Sequence, residues 1–273
     1  MVSMTGATET VAQRTITKWA DFSAAWAGVH NFLLAGECAP FAFAFPPIER
    51  VVDELRREPG TSIRSGRKDK QLIIDDVRTQ FQQMPMEETL RQPFAMAHFR
   101  LSVFDAPGRI LHGFKEAVLH PWQKALTGQG FTFERCYPII FLGGPGYATN
   151  FHMDFSHVLA WQVVGRKRFC GLREPDRWAP REERVTYRPQ AFPMPEQLQP
   201  ADALCYEMNP GDLLWNAFLT PHWVEATDSA AMSINLSHGG LRWRGQLCPH
   251  EQELEDFRQR HPEIAPRKGE GHY

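Results

Sequence analysis

The sequence predicts an α+β fold, a helix-rich first half followed by a β-sandwich or barrel. Two observations carry this. Apolar residues recur at the helical period before residue 60 and again over 109–126, whereas after Gly130 the chain becomes short apolar or alternating runs separated by turn residues. A third, the length of 273 residues with 42% hydrophobic content, allows one large domain with a sizeable core.

The elements follow in order. Residues 1–12 are small and polar and read as a flexible tail, leaving 13–273 as a single domain whose helix-rich part is 13–130. Trp19, Phe22, Trp26, Val29, Phe32 and Leu33 follow one helical face, and Ile48, Val51, Val52 and Leu55 follow a second that Pro59-Gly60 stops. Thr61–Lys70 is polar and basic and reads as an exposed loop. Arg109–Leu126 again has helical spacing, interrupted at Pro121. The core, 131–240, contains seven expected strands: Cys136–Leu142, Val158–Val164, Lys167–Leu172, Ala203–Met208, Asp212–Asn216, His222–Ala226 and Met232–Leu236. Between the third and fourth strands, 174–202 carries six prolines and is a candidate lid, because long loops inside compact domains tend to be functional. Pro249–His261 (249–261) reads as a charged amphipathic helix that caps the barrel or pairs two protomers as a homodimer.

Thirty Lys and Arg against 32 Asp and Glu leave a net charge of -2, so no global field draws nucleic acid or anionic lipid, and neither partner is expected. The five cysteines are far apart and lack C-x-x-C spacing, which predicts reduced, mostly buried thiols. No basic and apolar leader is evident, and the richest apolar stretch, Ala39–Ile48, is proline-broken and too short to span a membrane. A cytoplasmic location is expected.

The informative run is Thr149-Asn-Phe-His152-Met-Asp154, where residues two apart on a strand project to one face and suit two ligands of one metal. By itself H-x-D is unspecific. Three further features add weight. Gly165-Arg-Lys167-Arg-Phe sets a lysine in an apolar run, costly to bury without an anion. Asn209-Pro-Gly-Asp212 enters a strand and is followed by Pro221-His222-Trp-Val, which supplies a second histidine. Asn235 interrupts the late strand Met232-Ser-Ile-Asn-Leu. Two His and one carboxylate leave open positions and favour non-haem Fe(II).

In this order the motifs T-x-x-H-x-D, G-x-K-x-F, P-G-D-x-L, H-x-V and S-x-N, over residues 136–238, resemble the cupin-like, JmjC-type Fe(II)- and 2-oxoglutarate-dependent oxygenases. That group includes the asparaginyl hydroxylase of hypoxia-inducible factor. The resemblance implies a double-stranded β-helix, the jelly-roll barrel of cupins, buttressed by the helical N-terminal half. It implies His152, Asp154 and His222 as the metal ligands and catalytic centre. Lys167 and Thr149 would hold the distal carboxylate of 2-oxoglutarate, with Asn235 near the cosubstrate. Fe(II), 2-oxoglutarate and O2 would be the cofactor set, and succinate and carbon dioxide the coproducts. The implied reaction is hydroxylation of an unactivated C–H bond. Near-neutral charge and compact size make a small metabolite, amino acid or peptide the first choice of substrate. Alternatives are a protein or RNA hydroxylase, a metal-dependent cupin that works without 2-oxoglutarate, and a non-catalytic binding module. Two departures stand out: Val158 occupies a position where several relatives carry asparagine, and no counterpart of their cosubstrate-holding tyrosine can be placed.

Other residues carry weaker signals. Trp161, Phe151, Phe155 and Trp223 flank the ligands as a candidate dry wall, although aromatic residues there are more often plain core. His157 and His238 are more often structural than substrate-binding, and Asp212 suits a turn. Gly143–Gly146 resembles a phosphate loop in composition only. Arg64, Arg67, Lys68 and Lys70, like Arg181, Arg184 and Arg188, read as solvated charge.

Overall fold

The computed structural model describes residues 14–28, 30–65, 75–186 and 193–263. The tail expected over 1–12, Val29, part of the basic loop and 187–192 of the candidate lid lie outside these.

The chain opens with β1 (Thr15–Ile16), α1 (Trp19–Gly28) and β2 (Asn31–Leu34). Phe32 and Leu33, expected to prolong the first helix, instead form a strand. All four residues of β2 gain partners on a later strand, and burial of Asn31, Phe32 and Leu34 against that strand overrides the helical spacing. The second predicted helix is α2 (Ile48–Arg57), with Val51, Val52 and Leu55 fully buried. β3 (Ser62–Ser65) lies within the segment expected to be loop. It pairs antiparallel with β4 (Phe94–His98), beyond α3 (Asp75–Gln83) and α4 (Met86–Thr89). The first half therefore contributes strands as well as helices.

Over 109–126 the helix is shorter than its periodicity. Lys115–Leu119 winds as a π-helical turn into α5 (His120–Gly128). Helical residues run without a break from Phe114 to Gly128, so Pro121 does not interrupt the helix as expected; its missing N–H falls just after the π-helical turn, where the backbone bonding pattern changes. All seven expected strands of the core are present. After β5 (Phe131–Thr132) come β6 (Arg135–Gly143), β7 (His157–Val164) and β8 (Lys167–Leu172). Two short helices, α6 (Pro175–Trp178) and α7 (Arg181–Val185), lead to β9 (Ala203–Met208) and β10 (Leu213–Asn216). β11 (Trp223–Ala226), β12 (Ala231–Gly239), β13 (Arg242–Trp243) and α8 (Pro249–Arg260) complete the described chain.

Among the described residues the strands form a large sheet, β1-β2-β10-β7-β12-β6-β4-β3, and a small one, β11-β8-β9, with a β13-β5 ribbon. Pairing is antiparallel except between β1 and β2. Alternation gives the large sheet two apolar faces. Its outer face, including Trp215, Leu159, Ile234 and Ile140, packs under α1, α2 and α5 in the main core with Phe22, Trp122 and Phe131. Each such aromatic removed from water contributes about 1.5–3 kcal/mol. Its inner face meets the small sheet through Leu33, Leu214, Phe169, Leu204 and Tyr206, and the Tyr206 hydroxyl donates to Asn31 O at 3.0 Å.

The thiol expectation fails at two positions. Cys170 and Cys205 are directly opposed on β8 and β9, with Cα atoms 4.0 Å apart, and form a disulfide. Thirty-five residues separate them, so only strand pairing reveals the contact. Cys38, Cys136 and Cys248 are free thiols. The described part of 174–202 covers the outer face of the small sheet, where Trp178, Met194 and Leu198 pack on Leu172 and Trp223. Its Ala179 and Val185 join Leu254 and Phe257 of α8 in a satellite cluster. Among the described residues no helix is long and apolar enough to cross a membrane.

Candidate functional site

The extended segment before β7 aligns with the approach to β11 at one edge of the small sheet. The Thr149 N–H donates to Val224 O at 2.8 Å, and the Val224 N–H returns a bond to Thr149 Oγ1 at 2.8 Å. Further along, His152 and His222 exchange both backbone bonds, at 3.0 and 2.9 Å. That pairing puts the imidazoles side by side, with ring centroids 4.2 Å apart. Asp154, two residues on, faces both: His152 Nε2 is 3.8 Å from one carboxylate oxygen and His222 Nε2 is 3.5 Å from the other. The expected triad is thus brought together, one ligand atom from each residue lying within 4.8 Å of the others.

The second nitrogens define the tautomers. His152 Nδ1 lies 2.7 Å from Asn150 O and His222 Nδ1 lies 2.9 Å from Thr220 O, so each Nδ1–H donates to a carbonyl. Each Nε2 lone pair is left facing the carboxylate, the arrangement in which metal-binding histidines are held. Burial pushes His222 down to about 4, reinforced by neighbouring His152 and opposed by Asp154, which keeps it neutral and able to donate a lone pair. Phe169 stacks on His222 at 5.0 Å with ring planes 11° apart.

Lys167 opens β8 after a turn at Gly165, whose φ of +67° suits glycine and whose Cα faces the Ala230–Ala231 backbone. Its Nζ donates to Ser233 Oγ at 3.1 Å and approaches Phe141 O at 3.5 Å. Among the described residues no carboxylate pairs with it, and burial lowers it to about 7. Lys167 and Phe169, two apart, face inward together, which places the amine along the same strand face as the ring on His222. Ser233 and Asn235 share a face of β12, and Asn235 Oδ1 is buried with no hydrogen-bond partner. An ammonium with no carboxylate partner on the inner face fits a bound anion better than an apolar filling, whereas the Asn235 Oδ1 acceptor calls for a donor beside it. The donor set at the edge fits Fe(II).

Val158 faces inward on β7 opposite Asn216 of β10. Asn216 accepts from Asn31 Nδ2 at 2.5 Å, and its own amide lies 3.4 Å from His222 Nδ1. The sequence motifs contain Phe169 and Ser233 without assigning them a role, and Asn216 was missed. Period-two counting from Lys167 and Asn235 finds the first two, whereas Asn216 needed the β10–β7 register.

The remaining candidates take other roles. Trp161 packs against Phe41 and Phe45 on the outer face. Phe151 and Trp223 join the cluster beneath the disulfide, and Phe155 is exposed. Asp212 closes its turn by accepting from Asn209 N at 2.7 Å. His238 accepts from Trp122 Nε1 at 2.7 Å in the outer core. Arg181 and Arg184 pair with Glu253 and Asp176 at 2.8 and 2.5 Å. Arg64 lies on β3, while Arg67, Lys68, Lys70 and Arg188 lie outside the described residues.

No protein-family model and no curated protein matches this sequence. Solved structures do. The Escherichia coli protein YcfD aligns at 17% identity with a TM-score of 0.53, covering 94% of this chain and 60% of its own. YcfD in complex with cobalt and succinic acid, described as a ribosomal oxygenase, aligns at 14% identity and 0.53 over 95% of this chain and 59% of its own. The complex with cobalt and 2-oxoglutarate aligns at 15% identity and 0.51 with the same coverage. This chain spans about three fifths of YcfD's length, and the likeness establishes a shared fold.

Proposed function

We propose that this chain, sharing the fold of a ribosomal oxygenase, is an Fe(II)- and 2-oxoglutarate-dependent oxygenase on a double-stranded β-helix. The observation that carries the reading is the convergence of two Nδ1-protonated imidazoles and one carboxylate, with an unpaired buried lysine along the strand whose Phe169 covers His222. His152, Asp154 and His222 hold the metal. Lys167 binds the distal carboxylate of 2-oxoglutarate, Thr149 adds a hydroxyl at that end, and Asn235 offers its amide. Fe(II), when bound, supplies the oxygen activation that converts 2-oxoglutarate and O2 to succinate and carbon dioxide while hydroxylating a C–H bond. The protein's own work is positioning: neutral imidazoles donate lone pairs, Phe169 shields one of them, and the inner face excludes water around the lysine.

The inward, buried Lys167 favours this reading over a cupin that works without 2-oxoglutarate, since an amine bonded only to a hydroxyl and near a carbonyl is poorly placed without an anion. The assembled triad likewise disfavours a non-catalytic module. For the substrate, a peptide or protein side chain gains weight from the fold shared with a ribosomal oxygenase, alongside a free amino acid or small metabolite. The deciding experiment adds 2-oxoglutarate anaerobically to the Fe(II)-loaded protein and looks for the weak visible metal-to-ligand charge-transfer band. The band is expected in wild type, lost in His152→Ala, and seen only at much higher cosubstrate in Lys167→Ala. Its absence from iron-replete wild type overturns the reading.

A further inference from the structure

Between Asn216 and His222 the chain makes a short loop whose Phe218 backbone groups are held by histidine side chains that are not in the triad. The Phe218 N–H donates to His157 Nδ1 at 3.3 Å, and Phe218 O accepts from His250 Nε2 at 3.0 Å. His30 completes the set, with its carbonyl accepting from the Ala217 N–H at 2.9 Å and its Nδ1 lying 3.2 Å from Thr220 Oγ1. The loop in turn grips two triad residues. The Leu219 N–H donates to Asp154 O at 2.8 Å, and Thr220 O accepts from His222 Nδ1. Leu219 makes this reach at φ +48°, a conformation a leucine adopts only where its surroundings hold it there.

The tautomers are arranged for this duty. His157 accepts at Nδ1, so its Nε2 carries the proton and donates to Glu251 Oε2 at 3.0 Å. His250 donates at Nε2, leaving Nδ1 to face the Cys248 thiol at 3.2 Å. His157, Cys248 and Glu251 lie close enough together to hold an ion. With its Nε2 protonated, however, His157 has no lone pair to offer one, and the group reads as a closed chain of donors and acceptors. Cys248 directly precedes α8, and His250 and Glu251 lie in its first turn, so α8 reaches the triad through this chain. Met153 and Leu219 pack against Leu254 and Phe257 of the same helix.

We propose that His157 and His250 are positioning residues that clamp the Phe218 peptide and so aim Asp154 and His222 at a shared metal ion. The inference rests on the metal-site reading above for what is being aimed, while the clamp itself is testable without metal. Two readouts serve: hydrogen exchange of the Leu219 amide in metal-free protein, and the dissociation constant for Co(II) from its visible absorbance. In His250→Leu, which removes the donor, Leu219 exchange accelerates at least about tenfold while β7 amides stay protected. Co(II) binding weakens about 10- to 100-fold, as for other partners of metal ligands. His250→Gln restores a donor near the Nε2 position and returns both values toward wild type. Unchanged Leu219 exchange and Co(II) affinity in His250→Leu overturns the clamp, as does equal loss of protection across β7 in both variants, which marks a general packing role. If Leu219 responds but wild-type Co(II) binding is absent or survives His152→Ala, the clamp stands and the metal-site reading falls.

Discussion

Lys167 has burial and charge in direct opposition. Its amine, lowered to about 7 by desolvation, is bonded to a serine hydroxyl and near a carbonyl, neither of which supplies negative charge. A carboxylate cosubstrate binds the ammonium form, so binding draws a proton onto the lysine once the pH exceeds about 7. Affinity for 2-oxoglutarate in the Fe(II)-loaded, anaerobic protein should therefore weaken between pH 7 and 9, by up to roughly tenfold per unit. Lys167→Arg stays charged and should give a flat profile, which separates this effect from titration at the metal. A wild-type profile as flat as the variant's would show that the amine is not desolvated. The lysine was visible in the sequence because a cation inside an apolar run is conspicuous. Phe169, two residues on, was legible only as a letter of the G-x-K-x-F motif, and its stacking on His222 is what gives it a place at the site.

At the scale of elements, the β7–β8 turn couples stability to the site. Gly165 has φ +67°, and a Cβ there would come within 3.0 Å of Ala231 Cα and closer still to Ala230 O. Gly165→Ala should cost on the order of 2 kcal/mol, read from urea unfolding, and should weaken 2-oxoglutarate binding because the turn delivers Lys167. Stability within about 0.5 kcal/mol of wild type would show that the turn relaxes freely. The seven core strands were legible because alternation and turn residues are local signals, and Lys167–Leu172 and Ala203–Met208 match their predicted bounds. β2 was not legible: Phe32 and Leu33 continue a helical spacing, and the register with β10 makes them strand. The same blindness hid the disulfide, since cross-strand neighbours 35 residues apart leave no local trace.

At the scale of the molecule, burial keeps several histidines neutral far below their ordinary range. His30 is lowered to about 4, and His238 and His250 to about 3, by desolvation above all. The unfolded chain takes up these protons near pH 6.5 while the native state refuses them. The stability they confer is therefore full above pH 6.5 and is lost as the pH falls toward 4, by up to about 1.4 kcal/mol per unit for each histidine. Urea midpoints of metal-free protein should drop from pH 7.5 to 5, and less steeply in His238→Gln; a level profile would contradict the buried, neutral network. The sequence by itself determined the α+β class, the positions of the core strands along the chain, and the H-x-D pair with a lysine opening the strand Lys167–Leu172, because periodicity and turn chemistry act over a few residues. Only the tertiary structure decided that His222 lies opposite His152, that Cys170 meets Cys205, and that α8 reaches the triad through His250. Those contacts join segments tens of residues or more apart, and strand pairing and burial across the whole chain select them.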